Sequence, residues 1–217
     1  MFKNPFQKAK GETPSGSPTL LSGPRVGRHS SGWAHLRKQL LTESGLYILD
    51  IGPTSPTNIN LLTNAGHSVY MADLVPEAEK PEWMKKPEGG GEPAFDVDCF
   101  LQQNLDFSGR EFDAVLLWST LDYLPEPLVQ PVVDRLRSSI RPGGQVLALF
   151  HNKMIGDNAA YCRYHLSETD SIDMQGSVPL PLRRTFTNRG IEKTFERYNS
   201  CKFFLAKDNL YEVVITR

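Results

Sequence analysis

Residues Leu46–Asp73 read LYILDIGPTSPTNINLLTNAGHSVYMAD, and the order of their apolar runs decides the fold. Leu46–Ile51 is an apolar run with one late acid, Asp50, the pattern of a strand buried on both faces. Thr57 then reads as the cap of a short helix in which Ile59, Leu62 and Ala65 share a face and Gly66 ends the turn. His67–Asp73 is a second apolar run that also closes on an acid. Strand, short helix and strand in so few residues form a βαβ unit, and strands joined in this way lie parallel.

The same alternation continues on both sides. Upstream, Trp33, Leu36, Leu40 and Leu41 recur at helical spacing and stop near Gly45. Downstream, Phe112–Trp118 (FDAVLLW) is the strongest strand in the chain. A core-facing helix follows, with Leu128, Val132, Leu136 and Ile140 four residues apart; Pro127 and Pro131 are tolerable as residues near its first turn. Arg141–Gly144 (RPGG) turns the chain into the strand Gln145–His151. A further helix runs through Ile191, Phe195 and Tyr198, and KFFLAKDNLYEVVITR divides at Lys207-Asp208-Asn209 into an antiparallel hairpin. Two stretches carry no such pattern. Residues 75–95, with Pro76, Pro81, Pro87, Pro93 and Gly89–Gly91, read as a long loop with one helical turn around Trp83. Residues 152–185, ending in Arg183 and Arg184, read as irregular and polar.

Composition narrows the possible functions. A chain of 217 residues with 39% hydrophobic and 23% charged residues can bury one sizeable core. A net charge of −1 offers no general attraction for nucleic acid or acidic membranes, and no apolar run approaches the ~20 residues of a membrane helix. Cys99, Cys162 and Cys201 are scattered, odd in number and without metal spacing; they read as reduced thiols of a cytoplasmic protein that binds no metal. Residues 1–32 hold fourteen Gly, Pro or Ser, and residues 1–41 hold seven Lys or Arg against the single acid Glu12. This composition reads as a disordered basic tail.

In an open parallel sheet, ligands sit beyond the C-terminal ends of the strands. The residues expected there are Asp50 and Gly52, Asp73, Gln103–Asp106, and Trp118 through Tyr123. Asp50 can cap the next helix or orient a cationic ligand group. Gly52 can serve a turn or let a ligand approach the backbone. Asp73 can be a plain loop acid, or it can accept both hydroxyls of a ribose; it lies 23 residues after Asp50, near the ~20 expected of a nucleoside site.

Together these residues resemble the class I S-adenosylmethionine-dependent methyltransferases, over Trp33–Arg217. ILDIG (Ile48–Gly52) is similar to the family's first motif, Asp73 to its ribose-binding acid, and EFDAVLLWSTLDYL to its fourth strand and following loop. LRSSIRPGGQVLALF is the most specific match, to the turn into the fifth strand, and the closing hairpin resembles the sixth and seventh strands. The resemblance implies an α/β fold: a three-layer αβα sandwich around a seven-stranded, mostly parallel sheet with an antiparallel C-terminal hairpin strand. It implies a single Rossmann-like domain at 33–217 and S-adenosylmethionine as cofactor. The cofactor would be lined by Asp50, Ile51, Gly52, Pro53, Thr54, Asp73, Leu74, Trp118 and Ser119. Its adenine would lie near Asn104, with Gln103 or Asp106 as the alternative partner.

The chain departs from the family at the glycine loop. Of the usual Gly-x-Gly-x-Gly only Gly52 stands, with Thr54 and Pro56 at the later positions. Side chains there would crowd a ligand, although Thr54, Ser55 and Thr57 supply hydroxyls for a carboxylate beside a helix N-terminus. Methyl transfer needs alignment above all and a base only where the acceptor keeps its proton. His151 is the candidate base, with Asp122 and Tyr123 beside it at the strand ends. The function expected is methyl transfer to an acceptor of unidentified class. The alternative is a non-catalytic relative kept for partner binding. A nicotinamide oxidoreductase ranks third, since the glycine fingerprint for a pyrophosphate is missing and the closing hairpin argues against it.

Overall fold

A computed structural model describes residues 23–86, 89–155, 160–204 and 208–217. The described chain starts with a strand, β1 (Arg25–His29), and a helix, α1 (Ser31–Leu40), whose cap Ser30 accepts from the Trp33 amide at 3.1 Å. The unit quoted above follows as β2 (Tyr47–Ile51), α2 (Pro56–Asn64) and β3 (Ser68–Ala72). Its helix is capped by Ser55 rather than Thr57. Pro56 fits the first helical position, where no amide is needed, and Ser55 Oγ accepts from the Asn58 amide at 3.2 Å.

The expected loop after β3 holds α3 (Leu74–Ala78), a 3₁₀ turn at Pro81–Trp83, and a two-residue ladder of β4 (Met84–Lys85) with β5 (Ala94–Phe95). Pro87 lies outside the described residues. Then come α4 (Val97–Asn104), β6 (Phe112–Trp118), α5 (Thr120–Tyr123), α6 (Glu126–Ser139) and β7 (Ile140–His151). The remainder is β8 (Ala160–Leu166), β9 (Ser171–Pro179), α7 (Asn188–Thr194), β10 (Ser200–Phe204) and β11 (Leu210–Thr216).

Among the described residues, six strands form the main sheet, in the order β10-β11-β7-β6-β2-β3. Strands β3, β2, β6 and β7 are parallel, and β11 runs antiparallel between β7 and β10. The fold class is the expected one, with six strands in this sheet instead of seven. The stretch after β3 is broken by Pro76, Pro81, Pro93 and three glycines, so no uninterrupted run is there to add at the edge. Alternation along the strands makes the layers. On β6, Val115 and Leu117 face one core with Leu128, Val132 and Leu136 of α6; Ala114, Leu116 and Trp118 face the other with Trp33, Leu36 and Leu40 of α1.

Two local readings change. Pro131 lies inside α6, past its first turn; Pro127, whose carbonyl loses that donor, is exposed to water. The RPGG turn is drawn into the start of β7: Gly143 has φ +82°, and a Cβ on Gly144 would stand 2.6 Å from Ile140 Cγ2 and 3.1 Å from the Asp113 carbonyl.

The largest difference lies in 152–185, which is not irregular throughout. β8 and β9 form an antiparallel hairpin, and β1 adds to it in a second sheet of order β1-β9-β8. Part of the stretch expected as a tail is a strand, Arg25–His29, paired with Ser171–Gln175; residues 1–22 lie outside the described residues. A buried acid latches this N-terminal segment to the last strand of the main sheet. Glu212 accepts from Ser30 Oγ at 3.1 Å and the Gly32 amide at 2.7 Å, and pairs with Arg28 at 2.7 Å. Glu212→Ala is expected to cost about 3 kcal/mol in urea unfolding, because it takes the buried acceptor from Ser30 Oγ and the Gly32 amide and leaves the Arg28 guanidinium with Asp208 alone. A loss below about 1 kcal/mol, the level of a surface pair, would contradict the latch. Among the described residues, no helix is long and apolar enough to cross a membrane.

Candidate active site

The C-terminal ends of β2, β3, β6 and β7 bring most of the expected residues together. Asp50 is buried at the end of β2 with both oxygens engaged: Oδ1 accepts from Trp118 Nε1 at 2.6 Å and Oδ2 from Asn58 Nδ2 at 2.9 Å. Burial raises its pKa to about 6, against the pull of those two donors. Gly52 follows, held by its amide on the Ala72 carbonyl at 2.8 Å. A Cβ there would stand 3.1 Å from Trp118 Cδ1, tight enough to press on that ring, and in ordinary contact with Tyr161 Oη at 3.7 Å. Trp118 itself has φ +47°, a left-handed conformation that is strained for so large a residue. Its indole stacks on Tyr164, with centroids 4.9 Å apart and planes 7° from parallel.

Asp73 stands at the end of β3, where its Oδ1 accepts the Tyr161 hydroxyl at 3.1 Å. Burial raises this carboxyl to about 6 as well, opposed by the Tyr161 hydrogen bond and the Arg163 charge. Tyr161 and Tyr164 both come from β8, which runs across these strand ends. Asn58 binds it in place by donating to the Tyr164 carbonyl at 3.1 Å and accepting from the Leu166 amide at 2.7 Å. Tyr164 Oη meets Ser119 Oγ at 3.1 Å, and His165 Nδ1 meets Ser55 Oγ at 2.9 Å. Of the hydroxyls expected to face a ligand, that of Ser55 is thus engaged by helix and hairpin, and Thr54 is exposed.

A second cluster lies at the ends of β6 and β7. Asp122 is wholly buried, and its Oδ2 accepts from the His151 amide at 2.7 Å and from His151 Nδ1 at 2.6 Å. Its Oδ1 has no hydrogen-bond partner among the described residues. Burial raises Asp122 to about 6 even against the His151 contacts. Tyr123 stands edge-on to the His151 ring, 6.0 Å between centroids, and lies 5.1 Å from the Tyr161 ring. Tyr161 therefore joins the Asp73 end of the site to the His151 end.

Not every expected residue joins. Gln103 Nε2 bonds Cys99 Sγ at 3.2 Å and Asn104 Nδ2 bonds the Phe100 carbonyl at 3.0 Å, both within α4. Asp106 accepts from Ser108 in the next turn. Leu74 packs in the core, and Ile51 offers its carbonyl to Thr120 Oγ1 at 3.0 Å. Asn58, Tyr161 and Tyr164 escaped the sequence reading. Asn58 had a signal, as an amide one turn into a helix that starts beside a buried acid; the tyrosines had none, since they arrive from a distant hairpin. No group of three His, Cys, Asp or Glu among the described residues is arranged to hold a metal.

A family model described as a methyltransferase domain matches residues 27–199. No curated protein matches the chain. Among solved structures, the chain is similar to a TehB-like SAM-dependent methyltransferase from Corynebacterium glutamicum, at 14% identity and TM-score 0.49, covering 86% of this chain and 87% of that one. It is similar to a putative type 11 methyltransferase from Sulfolobus solfataricus, at 12% identity and TM-score 0.48, over 88% and 94% of the two chains. A magnesium protoporphyrin IX methyltransferase from Synechocystis, solved with bound SAM, shares 15% identity at TM-score 0.45, over 85% and 77%. The match that places this chain is the family model.

Proposed function

The chain belongs to the methyltransferase-domain family, the class I S-adenosylmethionine-dependent enzymes, and from that premise we propose that it methylates an acceptor that keeps its proton until transfer. The observation that carries the acceptor class is the His151–Asp122 pair. A buried carboxylate 2.6 Å from Nδ1 holds the imidazole proton on that nitrogen and leaves Nε2 as the basic one. An acceptor already deprotonated would have no use for such a pair; a hydroxyl, a phenol or a protonated amine would. Tyr123, edge-on to His151, would wall the acceptor side.

The residues at the β2 and β3 ends fit the cofactor in kind. Asp73 already accepts a hydroxyl, that of Tyr161, as it would from a ribose. Gly52 keeps clear a space that a Cβ would fill. Asp73 would hold the ribose, with Gly52 and Asp50 toward the methionine part and Ile51, Pro53, Thr54, Leu74, Trp118 and Ser119 around it. Gln103 and Asn104 would have to turn from their own helix to reach an adenine. When bound, the cofactor supplies a methyl group on a positively charged sulfur. The chain's part is to align the acceptor with that methyl, which can contribute up to ~7–11 kcal/mol, and to take the acceptor's proton at His151 Nε2.

A second reading, a non-catalytic relative kept for partner binding, is favoured by one observation: Tyr161 and Trp118 occupy the space over Gly52. Calorimetric titration with S-adenosylhomocysteine separates the two. Saturable binding is expected, and its absence at millimolar ligand would remove the cofactor reading and leave the second.

A further inference from the structure

The Tyr161 hydroxyl is placed where a cofactor hydroxyl would be. It donates to Asp73 at 3.1 Å, lies close over Gly52, and is carried on a ring that is 1% exposed. Accepting the cofactor reading above, we infer that Tyr161 is an internal competitor for the cofactor. It takes the Asp73 oxygen that a ribose hydroxyl would use, and the cofactor binds only after the Ala160–Tyr161 end of β8 swings away.

The ladder around Tyr161 is built to allow that movement. From Cys162 to Leu166, β8 pairs residue for residue with Gly176 back to Ile172 of β9. The register shifts between Ala160 and Cys162, the mark of a bulge beside Tyr161. The pair described beyond the shift, Ala160 with Pro179, ends on a residue without an amide hydrogen. The far end of β8 is fixed instead by Asn58, Ser55 and Ser119, through Leu166, His165 and Tyr164. The strand is thus pinned at one end and less regularly joined at the end that blocks Asp73, where the register shifts and Ala160 accepts a 3.4 Å hydrogen bond from Tyr123 Oη. Trp118 need not move with it, since its indole is held separately by Asp50.

A site that is competent only in a minor open state loses apparent affinity by the open fraction. Tyr161→Ala removes the blocking ring and is expected to bind S-adenosylhomocysteine at least about tenfold more tightly than the natural chain, as for an open fraction of about one in ten. Tyr161→Phe keeps the ring but leaves a buried Asp73 oxygen without its donor in the closed state, and is expected to bind about threefold more tightly or better. Titration calorimetry and quenching of Trp118 fluorescence both read the change, with circular dichroism checking the fold. If the natural chain binds and the folded variants bind no more tightly, the competitor is refuted while the cofactor reading stands. If neither the natural chain nor any variant binds at millimolar ligand, both fall. Should Tyr161→Ala fail to fold, Tyr161→Phe decides the question on the same criterion.

Discussion

Asp73→Ala is expected to weaken S-adenosylhomocysteine binding by about 100-fold or more. A hydrogen bond to a charged acceptor contributes roughly 1.5–3 kcal/mol, and a ribose offers two hydroxyls to the carboxylate. Even about 3 kcal/mol corresponds to more than 100-fold in the dissociation constant. The same change releases Tyr161, which opens the groove and recovers part of the loss. Repeating it in a Tyr161→Phe chain removes that recovery, so Asp73→Ala should cost more in the variant background than in the natural one. Loss of the fold is not the expected cause. Burial raises Asp73 from 3.8 to about 6, so its carboxyl favours the folded chain fully below pH 3.8 and loses that contribution as pH rises through about 6. At neutral pH the ionised carboxyl no longer makes that contribution, and what the variant loses is chiefly the Tyr161 hydrogen bond, about 1 kcal/mol, so it should still fold. A folded Asp73→Ala chain whose affinity drops less than about tenfold would argue against ribose recognition by this acid.

The second large effect is expected at His151. Replacement by alanine should lower methyl transfer by about 10²–10⁴-fold with little change in S-adenosylhomocysteine affinity, as for a lost general base. The acceptor needed for this measurement can be captured by incubating extract with the protein and an isotopically labelled methyl donor. A merely structural histidine would slow the reaction equally at every pH. A base would not: the deficit should shrink as pH rises toward the acceptor's own pKa, where the acceptor ionises unaided. Asp122→Asn should show the same trend in milder form, since an amide carbonyl still accepts from the His151 amide but no longer balances a charged imidazole. A His151→Ala rate within tenfold of the natural chain, or a deficit constant with pH, would remove the base.

Much of the fold was legible because parallel strands buried on both faces leave continuous apolar runs. Leu46–Ile51, Phe112–Trp118 and Gln145–His151 could hardly be anything else. The hairpin over β8 and β9 was missed because several of its inward residues carry polar tips. Tyr161, Tyr164 and His165 are buried, but their hydroxyls and ring nitrogens are satisfied by Asp73, Ser119, Ser55 and Gln175. A weak signal was present in Ile172, Met174 and Gly176, which alternate with Ser171, Asp173 and Gln175. β1 had no signal at all: Arg25–His29 is mostly polar and largely exposed, and its pairing with β9 and the contacts of Arg28 with Glu212 and Asp208, all distant in sequence, hold it as a strand. At the site, the acids and glycine at the strand ends could be read locally because they follow apolar runs. What lies over them could not, because Tyr161 reaches Asp73 across 88 positions of chain.

The Glu212 latch also sets when the domain can be finished. The bond between the Gly32 amide and Glu212 spans 180 positions, and β11, the strand that carries Glu212, is also the central member between β7 and β10. While the chain is being made, α1 and the β2–α2–β3 unit emerge long before their partner exists. Until Thr216 has cleared the ribosome, β7 shows a bare edge and the Arg28 guanidinium has no buried acid to meet. Contacts so distant in sequence form slowly, and the nascent chain carries an open edge on β7 from the emergence of that strand until β11 joins it.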